Sequence, residues 1–363
     1  MKLLFSPLFM RFAFIGLPLL VVVSCKKDDP APPTAPAVTT APLTNVTSSS
    51  ATTGGTILTN GNAAITQNGI VLSQTNATPT LTDSVIAGTT ASGSFTINLT
   101  GLDFNRTYYI RAFATNSVGT GYGDVVTLNT ANDTTKVRFM YNGKEVVYGI
   151  IISPVTGKKW LDRNLGAEQV ATSYDDYKAY GDLFQWGRPA DGHQLINWTA
   201  SDAGTAVNGT TEAVANSDIP GHSNFIIPPY VSPWVLDWRS DNNRNRWATI
   251  PQGPCPAGWH VPTRDEWLAE VATTMGGTAT SGGMTDRNTA YSQLKLTIAG
   301  KRGVDGPGSV NFGQVGTYGH YWSSTDRLAS GYTSARDFEV GIDGVQQFID
   351  VKASAKCVRC LVN

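Results

Sequence analysis

The chain has 363 residues, of which 15% are charged, and a formal net charge of −1. A balance this close to neutrality provides no basic surface to grip a phosphate backbone, which excludes nucleic acid as an expected partner. The length predicts two domains, and all nine Trp lie from Trp160 to Trp322, so the two parts are expected to have different cores.

Lys2 and Arg11 are followed by an apolar stretch over residues 12–23, which contains Gly16 and Pro18 and ends in Val22-Val23-Ser24-Cys25. A membrane-spanning helix needs about 20 apolar residues, so residues 1–24 read as a cleaved export signal. A small residue before a cysteine resembles the start of a bacterial lipoprotein, whose cysteine sulfur carries diacylglycerol. The resemblance implies lipidation of Cys25 and a membrane as partner through that lipid, held firmly once two or more acyl chains are present. Val22 stands where the lipoprotein pattern has Leu, and an ordinary secretory signal is the alternative.

Lys26-Lys27-Asp28-Asp29 come next, and a Pro-, Ala- and Thr-rich stretch runs to about Ala41. So few large apolar residues cannot build a core, and residues 25–37 are expected to be a flexible tether. The charged cluster resembles the export signal of Bacteroidetes-type lipoproteins. It implies a lipid-anchored protein of the outer membrane, exposed on the cell surface, with a solvated spacer as the alternative.

Residues 38–131 are dense in Thr, Ser, Gly and Asn, with short alternating stretches and turn signals at Asn60-Gly61 and Asn68-Gly69. This pattern predicts an all-β, immunoglobulin-like sandwich. In Thr107-Tyr108-Tyr109-Ile110-Arg111-Ala112-Phe113-Ala114, period-two spacing places Tyr108, Ile110, Ala112 and Ala114 on one face. With Gly101-Leu102 and Asn105-Arg106 before it, Tyr108 resembles the tyrosine corner of a fibronectin type III domain. That resemblance implies a hydroxyl bonded to the upstream backbone and a spacing or presenting role. Asp83-Ser84-Val85 and Asp133-Thr134-Thr135 resemble short O-glycosylation sequons.

Residues 136–363 read as α+β with few helices. Thr263 and Glu266 have the T-x-x-E spacing of a capping box and predict a helix over residues 264–274. Asp265 and Glu266 suit the positive end of that helix. Together with His260 they could form an acid/base or metal group, but capping accounts for both carboxylates, and His193, His222 and His320 are not at ligand spacing.

Gly157-Lys158-Lys159-Trp160-Leu161-Asp162-Arg163-Asn164-Leu165-Gly166, Tyr180-Gly181-Asp182-Leu183-Phe184-Gln185-Trp186-Gly187 and Cys255-Pro256-Ala257-Gly258-Trp259-His260-Val261-Pro262-Thr263 occur in this order. Tyr321-Trp322-Ser323-Ser324-Thr325 and Lys356-Cys357-Val358-Arg359 complete the series. These motifs resemble the Fibrobacter succinogenes major paralogous domain. The resemblance implies a C-type-lectin-like fold, shared with formylglycine-generating enzymes, over residues 136–363. It also implies a disulfide between Cys255 and Cys357, which would close a loop of about a hundred residues and contribute up to about 4.7 kcal/mol. Cys360 departs from the pattern, either as a free thiol or as an alternative partner for Cys255.

Cys357-Val358-Arg359-Cys360 has C-x-x-C spacing, but residues three apart on a strand face opposite ways, which argues against one redox or zinc site. The copper chemistry of the formylglycine-generating branch needs a cysteine pair, which is absent once Cys255 is committed to a disulfide. No Ser-His-Asp order, P-loop or G-x-G-x-x-G is present, so no enzymatic activity is expected. No cofactor is expected either. Asp241-Asn242-Asn243-Arg244-Asn245 could supply oxygen ligands to calcium, but it lacks EF-hand spacing.

The long segment over residues 198–247 is the candidate ligand surface. Exposed Trp234, Trp238 and Trp247, with Asp241 and Asn243, could stack on sugar rings or anchor a protein; the alternative is that the tryptophans fill the core. The sequence therefore reads as a non-enzymatic surface lipoprotein recognising glycan or protein. A structural or assembly component of the outer envelope is the second reading, and a degenerate oxidase the third.

Overall fold

The computed structural model describes residues 31–89, 92–229, 236–241, 246–249, 253–271, 282–306, 309–327 and 333–363. The export signal and Cys25 lie outside the described residues. The chain forms two compact units that divide between Asn132 and Asp133.

The first unit is all-β. Antiparallel strands Ala37–Thr40, Ala51–Thr59 and Gly93–Leu99 form one sheet in that order. The other runs Ser84–Ala87, Gln67–Ser73, Thr107–Thr115, Thr120–Tyr122, with Val126–Asn129 also paired to Thr107–Thr115. Alternation drives the packing: Phe95, Ile97 and Leu99 from one sheet meet Ile70, Tyr108, Ile110 and Ala112 from the other in a single buried cluster. The Tyr108 hydroxyl accepts the Asp103 amide at 2.9 Å, tying the strand to the preceding loop. It accepts the Gln74 side-chain amide at the same distance.

Two features of this unit differ from the sequence reading. Residues 31–37 of the stretch read as a tether are tied to the sandwich: the Thr34 amide donates to Gly61 O at 2.8 Å, and Asn116 Nδ2 donates to Thr34 O at 2.6 Å. Backbone hydrogen bonds need no large side chain, so a Pro- and Ala-rich segment can still add a strand. Asn68-Gly69 is not a turn but lies within strand Gln67–Ser73. Glycine serves close approach there, because a Cβ on Gly69 would stand 2.2 Å from Ile86 O.

The second unit is α+β. Its largest sheet runs Ser309–Gly313, Lys301–Gly306, Ala355–Cys357, Gly319–Asp326, Ser334–Val340, Val345–Val351, with Leu183–Gln185 also on Ala355–Cys357. A second sheet runs Trp259–His260, Leu361–Val362, Lys159–Leu161, Lys144–Ile152, Lys136–Tyr141. Helices Arg264–Glu270 and Arg287–Leu294 contribute Trp267, Ala290 and Leu294 to a core with Trp160, Tyr180, Tyr321 and Phe338. A separate cluster gathers Phe184, Trp186, Trp247, Trp259 and Trp322.

Thr263 and Glu266 form a reciprocal capping box: Thr263 Oγ1 accepts the Glu266 amide at 3.3 Å, and Glu266 Oε2 accepts the Thr263 amide at 2.9 Å. The helix stops at Glu270, short of the expected residue 274. Val271 turns extended and pairs with Met284, whose amide donates to the Glu270 carbonyl at 2.8 Å.

The disulfide joins Cys255 to Cys360 across 105 residues, which corrects the expected Cys255–Cys357 pair. Opposite facing of the two C-x-x-C positions explains the outcome. Cys357 points into the core that contains Tyr180, Tyr321 and Leu361, whereas Cys360 points into the cluster that contains Cys255. Cys357 is the buried free thiol.

Candidate ligand surface above a buried ionic core

Trp238 and Trp247 are 0% and 4% exposed, so these two residues of the expected surface belong to the interior. Trp234 and Asn243 lie outside the described residues. The Trp238 indole donates to Trp186 O at 2.7 Å, and the Arg246 guanidinium stands 4.8 Å from its ring centre. Trp186 packs against Trp247 with centroids 5.7 Å apart and carries the Lys352 ammonium 4.5 Å from its own ring. These indoles are buried because their faces serve as platforms for cations that also need shelter from water.

The cations are paired with acids at the same depth. Arg246 donates to both oxygens of Asp237 at 2.7 and 2.8 Å, and Lys352 lies 2.7 Å from Asp326 and 4.0 Å from Asp237. Arg188 donates to Gln185 Oε1, Asp191 Oδ2 and the carbonyls of His222 and Asn224. Sequence reasoning missed Asp237, Arg246, Lys352 and Asp326 as a group. They are scattered in the chain, and buried charge leaves no mark in a hydropathy pattern.

Among the described residues, what reaches solvent from this base is charged rather than aromatic. Asp241 is exposed, pairs with Arg239 at 2.8 Å and faces Arg246 at 3.6 Å. Arg239 also pairs with Asp218. Both Asp241 oxygens thus face guanidinium groups, an arrangement opposed to the calcium reading; Asn242, Asn243, Arg244 and Asn245 lie outside the described residues. Among the described residues, no three His, Cys, Asp or Glu side chains converge to hold a metal.

His193, His320 and His260 fall into two kinds. His193 accepts the Gln185 amide through Nε2 at 3.0 Å and bonds Asp191 through Nδ1 at 2.7 Å, and burial pushes its pKa down to about 4. Both nitrogens are engaged, one by a backbone amide and one by the Asp191 side chain, so the pair resembles a catalytic dyad only in composition. Burial likewise lowers His320 to about 4. His260 is different: Nε2 meets Glu266 Oε2 at 2.9 Å and Nδ1 meets Asn363 Oδ1 at 2.8 Å. Two acceptors favour the imidazolium, and the Glu266 bond leads in raising its pKa. Glu266 therefore does more than cap, since it also pairs with Lys158 at 2.9 Å, while Asp265 points outward toward Arg264.

Asp182 is buried, accepts the Tyr141 hydroxyl at 2.7 Å and the Ile196 amide at 3.1 Å, and burial raises its pKa to about 6. The Cys357 thiol sits 3.7 Å from Tyr180 O, and burial pushes it up to about 12, which removes it from thiolate chemistry.

No protein-family model and no curated protein matches the chain. Among solved structures, the chain is similar to the sensor domain of the anti-sigma factor RsgI4 in Pseudobacteroides cellulosolvens, at 12% identity over 28% of this chain and 98% of that one, with a TM-score of 0.22. It is similar to domains A168-A170 from titin at 17% identity over 28% and 32% of the two chains, with a TM-score of 0.21. A fibronectin type III domain from the human KIAA0970 protein matches at 11% identity over 28% and 77%, with a TM-score of 0.20.

Proposed function

We propose that this chain is a non-enzymatic lipoprotein, anchored at the outer membrane through Cys25, in which a fibronectin type III-type unit serves as stalk for a binding head. The head is of the type represented by the Fibrobacter succinogenes major paralogous domain, and its ligand is a glycan or a protein. The observation that supports binding is the Asp218–Arg239–Asp241 group, in which Asp241 is exposed and Asp218 and Arg239 are half-buried, held through Arg246 to the buried Asp237. Loop side chains fixed on a rigid base meet a ligand without first losing conformational freedom.

The test is a screen of the purified protein against arrays of glycans and matrix proteins, with Asp241→Ala and Arg239→Ala alongside. Saturable binding that weakens at least tenfold in both variants, with thermal unfolding unchanged, supports this reading. Trp238 is unsuited to the test because it is buried. An array without binding, together with recovery of the chain in an envelope complex from intact cells, would favour the structural or assembly role instead.

A further inference from the structure

The largest sheet of the second unit has a charged face. Tyr321, Phe338, Ala355 and Cys357 point into the main core, so His320, Trp322, Asp337, Glu339 and Lys356 project from the opposite side. Strand Gly319–Asp326 lies between Ala355–Cys357 and Ser334–Val340, with Trp322 directly opposite Asp337. Lys356 reaches across this central strand, its ammonium 4.7 Å from the Trp322 ring centre, and meets Asp337 Oδ2. Both side chains are 1% exposed.

Lys356 also contacts Asp350 at 2.9 Å, and Asp350 pairs in turn with Lys301 at 2.9 Å. His320 stands 3.7 Å from both Asp337 and Glu339, and its Nε2 bonds Gln314 at 2.7 Å. Asp337 Oδ1 is buried without a hydrogen-bond partner among the described residues. An amine nitrogen held against a carboxyl group, with a second carboxylate at the same nitrogen and one carboxyl oxygen unengaged, is an arrangement suited to acyl transfer.

We propose that Lys356 and Asp337 condense into an intramolecular amide, which staples strand Ala355–Cys357 to strand Ser334–Val340 across the strand between them. A proton passes from the Lys356 ammonium, through Asp350 at the same nitrogen, to Asp337, and the freed amine adds to the carbon of the now neutral Asp337 carboxyl group. As the new C–N bond forms, a C–O bond breaks, and the protons lost by nitrogen leave with that oxygen. An ammonium and a carboxylate thereby become one amide and one water, with no oxidant or external group required.

The driving force is specific to the site. Two buried charges carry a desolvation cost that their attraction only partly offsets, and condensation removes both. Contact between the groups replaces the entropy of bringing them together. Asp350, 2.9 Å from the Lys356 nitrogen, is placed to relay the first proton.

The test is the intact mass of the purified, reduced and denatured protein, followed by peptide mapping. The expected result is a protein one water lighter than the mass calculated for the same processed chain without the bond, with a branched peptide joining Lys356 to Asp337. Lys356→Arg and Asp337→Ala should each restore the full mass, and Asp350→Asn should give a mixture of the two masses. Should the variants fail to fold, the wild-type mass still decides. A full-mass wild type overturns the proposal, as does a water loss that maps to Asp350 or to a cyclised aspartate.

Discussion

Arg246 grips Asp237 through two parallel hydrogen bonds of 2.7 and 2.8 Å, with both charges buried beneath the loop that carries Asp241. Removing one partner of such a pair leaves the other uncompensated in a poorly solvating interior. Arg246→Met is expected to destabilise the second unit by about 3 kcal/mol, at the lower end for a buried pair because Lys352 remains 4.0 Å from Asp237. The double variant Arg246→Met, Asp237→Leu should recover much of that loss. Urea unfolding followed by Trp fluorescence checks both, and it reports the second unit selectively because every Trp lies there.

His193 and His320 should titrate in a different range from His260. Burial depresses His193 and His320 to about 4, below the ordinary value of 6.5, so their contribution to stability is complete above pH 6.5 and is lost as pH falls toward about 4. His260 runs the other way: its raised pKa gives a contribution complete below 6.5 and lost as pH rises through the folded value. Histidine proton NMR against pH measures all three. A midpoint for His193 near 6.5 would contradict its enclosed bond to the Gln185 amide.

Asp182 introduces an opposing dependence. Its pKa rises from 3.8 to about 6, so its contribution is complete below the unfolded value and is lost as pH climbs through about 6. Asp182→Asn cannot ionise, and one carbonyl oxygen must then serve two donors, Tyr141 and Ile196. The variant should be the less stable chain near pH 4. Its deficit should shrink by up to roughly 3 kcal/mol by pH 7, as the wild type alone acquires a buried charge. Unfolding free energies of both chains at several pH values provide the comparison, and a difference independent of pH would exclude the raised pKa.

Tyr108→Phe tests the first unit. The substitution keeps the ring in the sandwich core but removes the acceptor of the Asp103 amide, 2.9 Å away, and of Gln74. The expected cost is about 1–2 kcal/mol, the penalty of an amide left unmet in a partly buried site. Calorimetry should show it as a lower transition for the first unit, with the second unit's transition unchanged.

Features decided within a few residues were legible in the sequence. Period-two spacing around Tyr108 specifies a strand with one buried face, and the three-residue offset from Thr263 to Glu266 specifies a capping box; both are present. Features decided by what packs from elsewhere were not. Trp238 could not be placed without Arg246 above its ring, and the strand status of Asn68-Gly69 depended on the backbone of Ile86 alongside. The buried acids and cations around Trp186 come from residues 237, 246, 326 and 352, and no spacing rule joins positions so far apart.

The cysteines provide a chemical readout of the two cores. Cys357 faces one and Cys360 the other, so native protein treated with a thiol-alkylating reagent should not react at Cys357, whose thiol is fully buried and held at about 12. Unfolding without a reductant should expose Cys357 alone among the three cysteines of the second unit, because Cys255 and Cys360 remain joined. Peptide mapping identifies the labelled position, and label on Cys360 would instead establish the Cys255–Cys357 pairing. Cys360→Ser should cost about 2–4 kcal/mol through the freed loop of 105 residues. Cys357→Ser should cost less, since its hydroxyl can donate to the Tyr180 carbonyl that the thiol now faces. Two near-identical substitutions three residues apart would then differ in effect because one sulfur constrains the unfolded chain and the other only fills space.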